Sequence, residues 1–462
     1  MLRLHDTATG NVRPLELRDP GRVSMYVCGL TVYDHAHIGH GRMALVFDVL
    51  RRYLVFSGLD VHFVSNVTDV DDRIISRAAR ERRSEIEVAR EFEASWWATA
   101  DALGVLRPDD IPHATQYIEG MVSLVADLLR REVAYRTSTG VYLDVERIDG
   151  YGLLARQSLE SLRSGARIEV DEEKRSPLDF AVWKKAKPGE PIWEAPFGAG
   201  RPGWHTECVV MSLDLLGDDF DLHGGGTDLI FPHHENERAQ AVAENRRFAR
   251  HWMHNGWVTV GGEKMGKSLG NFTTIESMLE RSDPRAYRLL VLRSQYRSQI
   301  EVTPETTADA QRGLDRLDRL AQRFSIAEFV GLSTTTVADV GAEGMVTEEV
   351  ERFRACMDDD LDTPGALAGI FDAASRAHAL ADAGDAPAAE PLARTVALLC
   401  AALGLELNGG ATELDEDARR LVAERDAARA SGDYGRSDAI RDRLVARGWT
   451  VEDGPTGTRL RR

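Results

Sequence analysis

The sequence predicts an α/β fold: a parallel-sheet domain split by an insertion, then an α-helical bundle and a small C-terminal domain. Three observations carry this. First, apolar Val23–Val27 precedes Met43, Ala44, Val46, Phe47, Val49, Leu50, Tyr53 and Leu54 at helical spacing, and apolar Val61–Thr68 precedes an Arg/Glu-rich helical stretch. Strand, helix, strand, helix implies a parallel sheet with right-handed crossovers. Second, 462 residues exceed one compact core, so roughly two to four domains are expected. Third, the chain after Lys267 carries mostly helical apolar stripes, such as Leu314, Leu317, Ala321 and Phe324, then Val350, Phe353 and Met357.

In chain order, Leu2–Leu17 reads as a β-hairpin leading to the first strand. The chain is expected to turn at Gly29 and Thr31, and the following helix to end near Ser57-Gly58. Glu91–Ala134 reads as helices broken at Arg107-Pro108, and Gly140–Val145 alternates as a strand. Pro- and Gly-rich loops at Lys187–Pro191 and Pro196–Gly203 close the insertion, about residues 120–200. The sheet is expected to resume at Trp204–Cys208, with Phe220–His223 as the next strand and Gly224-Gly225-Gly226 as a turn after it. Pro232 suits a first helical position, which sets His233 and Glu237 four apart on one helix face. Ser333–Gly344 and Ala381–Pro391 read as bundle loops, and Leu407–Gly410 as a boundary. Two helices separated near Gly432-Asp433 and a hairpin from Trp449 to Thr458 complete the chain.

Composition excludes several classes. No apolar run approaches the ~20 residues of a membrane span, and the N-terminus has no apolar leader, so the expectation is a cytoplasmic protein with no membrane partner. Cys28, Cys208, Cys356 and Cys400 form no CxxC pair, and read as reduced thiols or ligands. The net charge of −18 is poor support for nucleic-acid binding. Segregated clusters, at Arg73–Arg83, Lys174–Lys187 and Arg419–Arg462, leave it open, although any one of them reads better as a solvated helix face.

Two motifs carry chemistry. His37 and His40 sit three apart where a strand runs into a helix, with Gly39 between them; helix-start N–H groups there favour anions. Lys264 and Lys267 flank a glycine within a Gly-rich stretch, which suits a phosphate clamp. Cys28, Cys208, His233 and Glu237 offer two sulfurs, a nitrogen and an oxygen, a tetrahedral zinc set if the fold unites three segments. By spacing alone Cys28 and Cys208 are equally two small buried hydrophobes.

As a pair, His37-Ile38-Gly39-His40 and Lys264-Met265-Gly266-Lys267-Ser268 resemble the two signatures of class I aminoacyl-tRNA synthetases. Their order and spacing are similar to those of the cysteine-specific family, from about Leu4 to the C-terminus. The resemblance implies a Rossmann-like catalytic domain in two halves (residues 1–119 and 201–262) around a connective insertion (120–200). A stem-contact region with the Lys signature (263–310), the helical bundle (311–405) and an anticodon-binding domain (406–462) follow. The implied reaction attaches L-cysteine to tRNA(Cys) with ATP, through cysteinyl-adenylate. His37, His40, Lys264 and Lys267 would be catalytic; His37, Gly39, His40, Gly224, Gly225, Asp228 and Lys267 would hold ATP with its Mg²⁺. Gly29, Thr31, Thr68, Trp204 and His223 are candidates for the cysteine end, Trp204 being equally a core aromatic. One zinc, on Cys28, Cys208, His233 and Glu237, would select the substrate thiolate. His234 has no matching ligand role, and a monomer is expected.

Zinc answers a discrimination problem. An apolar pocket separates near-isosteres such as cysteine and serine by only ~10–200-fold, whereas a fidelity near 10⁴ needs roughly 5.5 kcal/mol. A borderline-soft metal holds thiolate far better than a neutral hydroxyl, so no editing domain is required. Three positions depart from the family. Leu30 stands where it has proline, predicting a looser turn after Cys28. His40 stands where many cysteine enzymes have asparagine, matching the wider class. Gly266 stands where it has serine, predicting that Gly266→Ser raises the rate of adenylate formation. A rival reading is a cysteine ligase of the same fold acting on an amino sugar, as in mycothiol synthesis, which would need no anticodon-reading tail. A third is a non-catalytic cysteine-sensing or RNA-binding paralogue, which would need no phosphate clamp.

Overall fold

A computed structural model describes residues 1–165, 173–264, 273–326, 345–409, 416–447, 449–454 and 457–461. The expected hairpin pairs β1 (Arg3–Asp6) with β2 (Asn11–Pro14). β3 (Arg22–Thr31), α1 (Ile38–Phe56), β4 (Asp60–Thr68), α2 (Asp72–Glu81), α3 (Glu85–Ala102) and α4 (Ile118–Arg130) follow. A separate antiparallel sheet comes next, built from β5 (Ala134–Arg136), β6 (Gly140–Leu143), β7 (Phe180–Lys185) and β8 (Gly200–Pro202), with helix α5 (Leu159–Gly165) between its middle strands. The chain then returns through α6 (Trp204–Leu216) to β9 (Leu222–Gly226), α7 (Glu235–Ala243) and β10 (His251–Asn255).

The main sheet is parallel, in the order β10-β9-β3-β4. From β3 the chain moves outward through α1 to β4; on return it enters at β9 and moves the other way to β10. The reversal lies between β3 and β9, and ligands of such sheets bind beyond the strand ends at that point. β3 is buried on both faces from Val23 to Cys28, as a central parallel strand is. Residues 109–113 cover the β4 edge, Val67 N donating to Pro112 O at 2.9 Å.

Beyond β10 lie β11 (Val258–Val260), β12 (Glu263–Lys264), α8 (Ile275–Leu279), α9 (Pro284–Leu292), β13 (Ile300–Glu301) and α10 (Pro304–Arg323). Helices Thr347–Asp358, Thr363–Asp382 and Ala386–Ala402 continue the bundle. Buried Asp48 on α1 binds this half to the sheet. Its carboxylate accepts from Arg52 Nε at 2.8 Å, Arg288 Nη1 of α9 at 2.6 Å and Leu106 N at 2.9 Å. Arg288 also donates to Leu403 O at 3.2 Å, at the end of the bundle. The last unit packs helices Glu416–Ala430 and Tyr434–Ala446 with strands Thr450–Gly454 and Gly457–Arg461 around Ala418, Leu421, Ile440, Leu444 and Trp449.

Four expectations need correction. The chain does not turn after Cys28: β3 runs on to Thr31 with a register shift against β4, and Leu30 is a buried strand residue paired with Val67. Trp204–Cys208 is the start of α6, not a strand. Gly224, Gly225 and Gly226 lie within β9, because a side chain at Gly224 would strike the Phe47 ring of α1 at 2.3 Å. Ala386–Pro391 is the start of a helix, with Asp385 as its cap. As expected, helical backbone begins at Pro232 and leads straight into α7: Phe231 is extended (φ −137°, ψ 131°), as a residue before proline tends to be, and His233 meets Glu237 one turn on. The expected loop at Ser333–Gly344 lies outside the described residues, as do Gly266 and Lys267.

Candidate active site

Four donors meet at the switch point. Cys28 comes from β3, Cys208 from the first turn and a half of α6, His233 from the bend before α7, and Glu237 from α7 itself. All four are buried. Cys28 Sγ lies 3.7 Å from Cys208 Sγ, 3.5 Å from His233 Nε2 and 3.3 Å from Glu237 Oε1. Cys208 Sγ is 3.7 Å from His233 Nε2, which stands 2.7 Å from Glu237 Oε1. These distances test a metal directly. Tetrahedral zinc with Zn–S near 2.3 Å and Zn–N near 2.0 Å would space its ligands about 3.8 Å (S···S) and about 3.5 Å (S···N) apart. The set fits, and only the His233–Glu237 edge is that of an ion pair, which a cation would replace.

The electrostatics agree. Burial would raise Glu237, but His233 and His223 outweigh it and hold the carboxyl well below its ordinary range. Burial pulls His233 down, yet Glu237 and Cys208 hold it up at about 10. Burial and the facing Cys208 push the Cys28 thiol well up, while the contact with Cys28 brings Cys208 down to about 7. At neutral pH the Glu237 carboxylate is thus charged while His233 and Cys28 each keep a proton. A divalent ion bound there would displace those protons, since ligating cysteines are deprotonated.

Around the cluster, His205, Glu207 and Asn66 are polar groups that the sequence does not single out, whereas Trp204, His223, Thr68 and Gly29 are expected there. His205 Nδ1 lies 2.9 Å from His233 Nδ1, on the ring edge away from the cluster. With His233 Nε2 facing a metal, its Nδ1 carries the proton and His205 accepts it. Burial and His233 keep His205 well below its usual value, hence neutral. Trp204 is half-buried and stacks on His233 with ring centroids 4.0 Å apart, so it is neither a plain core aromatic nor remote from the site. His223 Nε2 is 2.7 Å from Glu237 Oε2 and 3.8 Å from Cys28 Sγ. Thr68 Oγ1 donates to Glu207 Oε2 at 3.1 Å and accepts from Asn66 Nδ2 at 3.2 Å. Gly29 N donates to Asn66 Oδ1 at 2.9 Å. His205 and Glu207 flank Cys208 closely in sequence, the one local signal that could have pointed to them. His234, His254 and Thr7 form a further buried chain, through contacts of 2.8 and 2.7 Å.

The second centre is the entry to α1. His37 is its N-cap: His37 Nδ1 accepts from His40 N, and His40 Nδ1 accepts from His37 N, both at 3.3 Å. The rings stack with centroids 3.6 Å apart. A ring nitrogen that accepts cannot carry the proton, so each neutral ring presents Nε2–H as a donor. The first turn, with Gly39 in it, holds no acidic residue to neutralise the helix's positive end. Arg77 of α2 steadies the approach, donating to Tyr33 O at 3.0 Å and to Asp34 Oδ1 at 2.7 Å. Thr31 ends β3, half-buried, and Asp228 is exposed just past β9. Lys264 ends β12.

Residues 14–312 match the family described as tRNA synthetases class I (C) catalytic domain, residues 352–408 the DALR domain, and residues 411–461 the cysteinyl-tRNA ligase anticodon binding domain. The chain is 45% identical over 473 residues to a cysteine--tRNA ligase of Thioalkalivibrio sulfidiphilus, covering 100% of both. It is 45% identical over 483 residues to one of Solidesulfovibrio magneticus, covering 99% of both. In fold it is similar to Mycobacterium tuberculosis methionyl-tRNA synthetase in complex with methionyl-adenylate, with a TM-score of 0.59 at 16% identity, over 83% of this chain and 89% of that one. It is also similar to the leucyl enzyme of Agrobacterium radiobacter, with a TM-score of 0.61 at 10% identity, over 84% of this chain and 85% of that one.

Proposed function

This chain belongs to the cysteinyl-tRNA synthetase family, and on that premise we propose that it attaches L-cysteine to tRNA(Cys) in two steps, by way of cysteinyl-adenylate. The observation that carries the reading to this chain's own residues is the convergence of Cys28, Cys208, His233 and Glu237 at the sheet's switch point. Zinc held there would supply a soft acceptor for the substrate thiolate. His205 would orient His233, and Trp204 would wall the site on the other side of the same ring. Gly29, Thr31, Thr68 and His223 are assigned to the cysteine end, which the contact of His223 with Glu237 and Cys28 supports.

ATP, with Mg²⁺, would lie along the strand ends toward α1. In the first step the cysteine carboxylate attacks the α-phosphate and pyrophosphate leaves. Charge then spreads over phosphate oxygens, so fixed donors do most of the work. The Nε2–H groups of His37 and His40 are such donors, already aimed by the capping box, and Gly39 leaves room beside them. Lys264 and Lys267 would add positive charge from the second signature. The nucleoside is assigned to Gly224, Gly225 and Asp228, with the exposed Asp228 carboxylate on the ribose hydroxyls. The second step moves the cysteinyl group to the tRNA's terminal adenosine. The separately cored unit after residue 411 supports tRNA over an amino sugar as acceptor; both signature motifs and the four donors lie within one chain, which supports a monomer, and family membership supports a cytoplasmic location.

The deciding experiment is cysteine-dependent aminoacylation of a tRNA transcript with a GCA anticodon, run beside glucosaminyl-inositol. Charging of the tRNA, lost in Cys208→Ser together with bound zinc, is the expected result. Transfer to the amino sugar alone would overturn it.

A further inference from the structure

The entry to α1 is held from outside by a segment almost 240 residues away in sequence. Ile38 N donates to Thr273 O at 3.2 Å, Ile275 N donates to Ala36 O at 3.0 Å, and His37 and Thr274 form an antiparallel bridge between them. Ile275 is fully buried, and α1 comes close enough at Gly41 that a side chain there would touch Ile275 Cδ1 at 3.0 Å. Beside this backbone seam stands a side-chain tripod. His35 Nδ1 is 2.9 Å from Glu276 Oε2 and 3.1 Å from Ser95 Oγ, and Ser95 Oγ donates to Glu276 Oε1 at 2.6 Å. The His35 ring meets Phe92 of α3 edge-on, centroids 5.2 Å apart. Three elements are thereby pinned at one spot: the loop before α1, α3, and the start of α8.

We propose that His35, Ser95 and Glu276 are positioning residues for ATP activation, fastening the 273–276 segment to the His signature so that His37 keeps its capping geometry; this rests on the reading of the site given above. The His35–Glu276 pair is 43% exposed on each side chain, and a pair so open to water adds little to global stability. Its contribution is local. It fixes the register of the two backbone bonds on either side of His37, and a displacement of about 1 Å at a reacting group can cost up to about a hundredfold in rate. His35 lies two residues before His37, and Glu276 two after Thr274, so losing either releases the same seam.

The test is cysteine-dependent ATP–pyrophosphate exchange with the full-length protein. Glu276→Ala and His35→Ala are each expected to lower kcat/KM for ATP by about tenfold. KM for cysteine and the melting temperature stay as in the unaltered protein. The double variant is no worse than either single one, as for residues acting as a unit. Glu276→Gln, which keeps an acceptor for both partners, recovers most of the loss. Unchanged ATP parameters in Glu276→Ala overturn the proposal. So does a parallel fall in ATP parameters, cysteine affinity and melting temperature that Glu276→Gln fails to relieve, since that is a general folding defect. If the unaltered protein shows no cysteine-dependent exchange, the functional reading falls, and the positioning role is then read from ATP binding by calorimetry. An unchanged Kd for ATP in Glu276→Ala overturns it there.

Discussion

His205 reaches no donor that faces the cluster, yet it decides how His233 is aimed. Removing such an orienting partner typically costs 10–100-fold in metal affinity. His205→Ala is therefore expected to weaken zinc binding by about that factor, read by competition with a chromophoric chelator, while the overall fold is kept. Glu237→Gln should cost more, because it removes the negative charge that balances the ion as well as a ligand; metal analysis after dialysis checks it. The four donors were legible through the family resemblance, since by residue type and spacing alone Cys28 and Cys208 read equally as buried hydrophobes. The three-segment convergence was not, because no local pattern encodes a contact between residues 28 and 208. His205, Asn66 and Glu207 stayed hidden for the same reason: each is an ordinary polar residue whose partner lies in another element.

Gly29 shows what holds an element's shape. β3 does not turn after Cys28 because the ladder to β4 survives a register shift there, and Gly29 is the residue that permits it. A Cβ at Gly29 would lie 1.6 Å from Asn66 O, a backbone atom that cannot swing away. Gly29→Ala must push β3 and β4 apart, at a cost of about 3 kcal/mol. The expected readout is a lower urea midpoint together with loss of bound metal, since Cys28 moves with the strand. The sequence marked β3, α1 and β4 correctly by period, but glycines and a short polar–apolar mixture misled at two places. Gly224–Gly226 looked like a turn and is strand: Phe47 fills the space beside Gly224, Leu229 and His234 that beside Gly225, and Asp228 that beside Gly226. Trp204–Cys208 looked like a strand and is helix; five residues before a long apolar run are too few to show a 3.6-residue period.

At the scale of the whole molecule, Asp48 with Arg52 and Arg288 joins α1 to the end of the bundle through Leu403. Breaking a buried pair by removing one partner costs about 3–5 kcal/mol. Arg288→Ala should lower the unfolding midpoint accordingly. Burial would raise the Asp48 carboxyl, but Arg288 and Arg52 outweigh it and hold its pKa below the usual value. Its stabilisation is therefore complete above the unfolded-state pKa of about 3.9 and is lost as pH falls through the lower folded value. An acid titration followed by near-UV circular dichroism should reach its transition at a higher pH in the Arg288→Ala protein. The C-terminal unit has a core of its own, so truncation after residue 409 should spare pyrophosphate exchange and abolish tRNA charging. The scattering of the metal ligands also sets an order of events in time. Glu237 leaves the ribosome 209 residues after Cys28, which at ~5–20 residues per second is roughly 10–40 s. For that interval the first thiol waits in the nascent chain with its partners still unmade, so the proposed metal centre can close only after synthesis has passed Glu237.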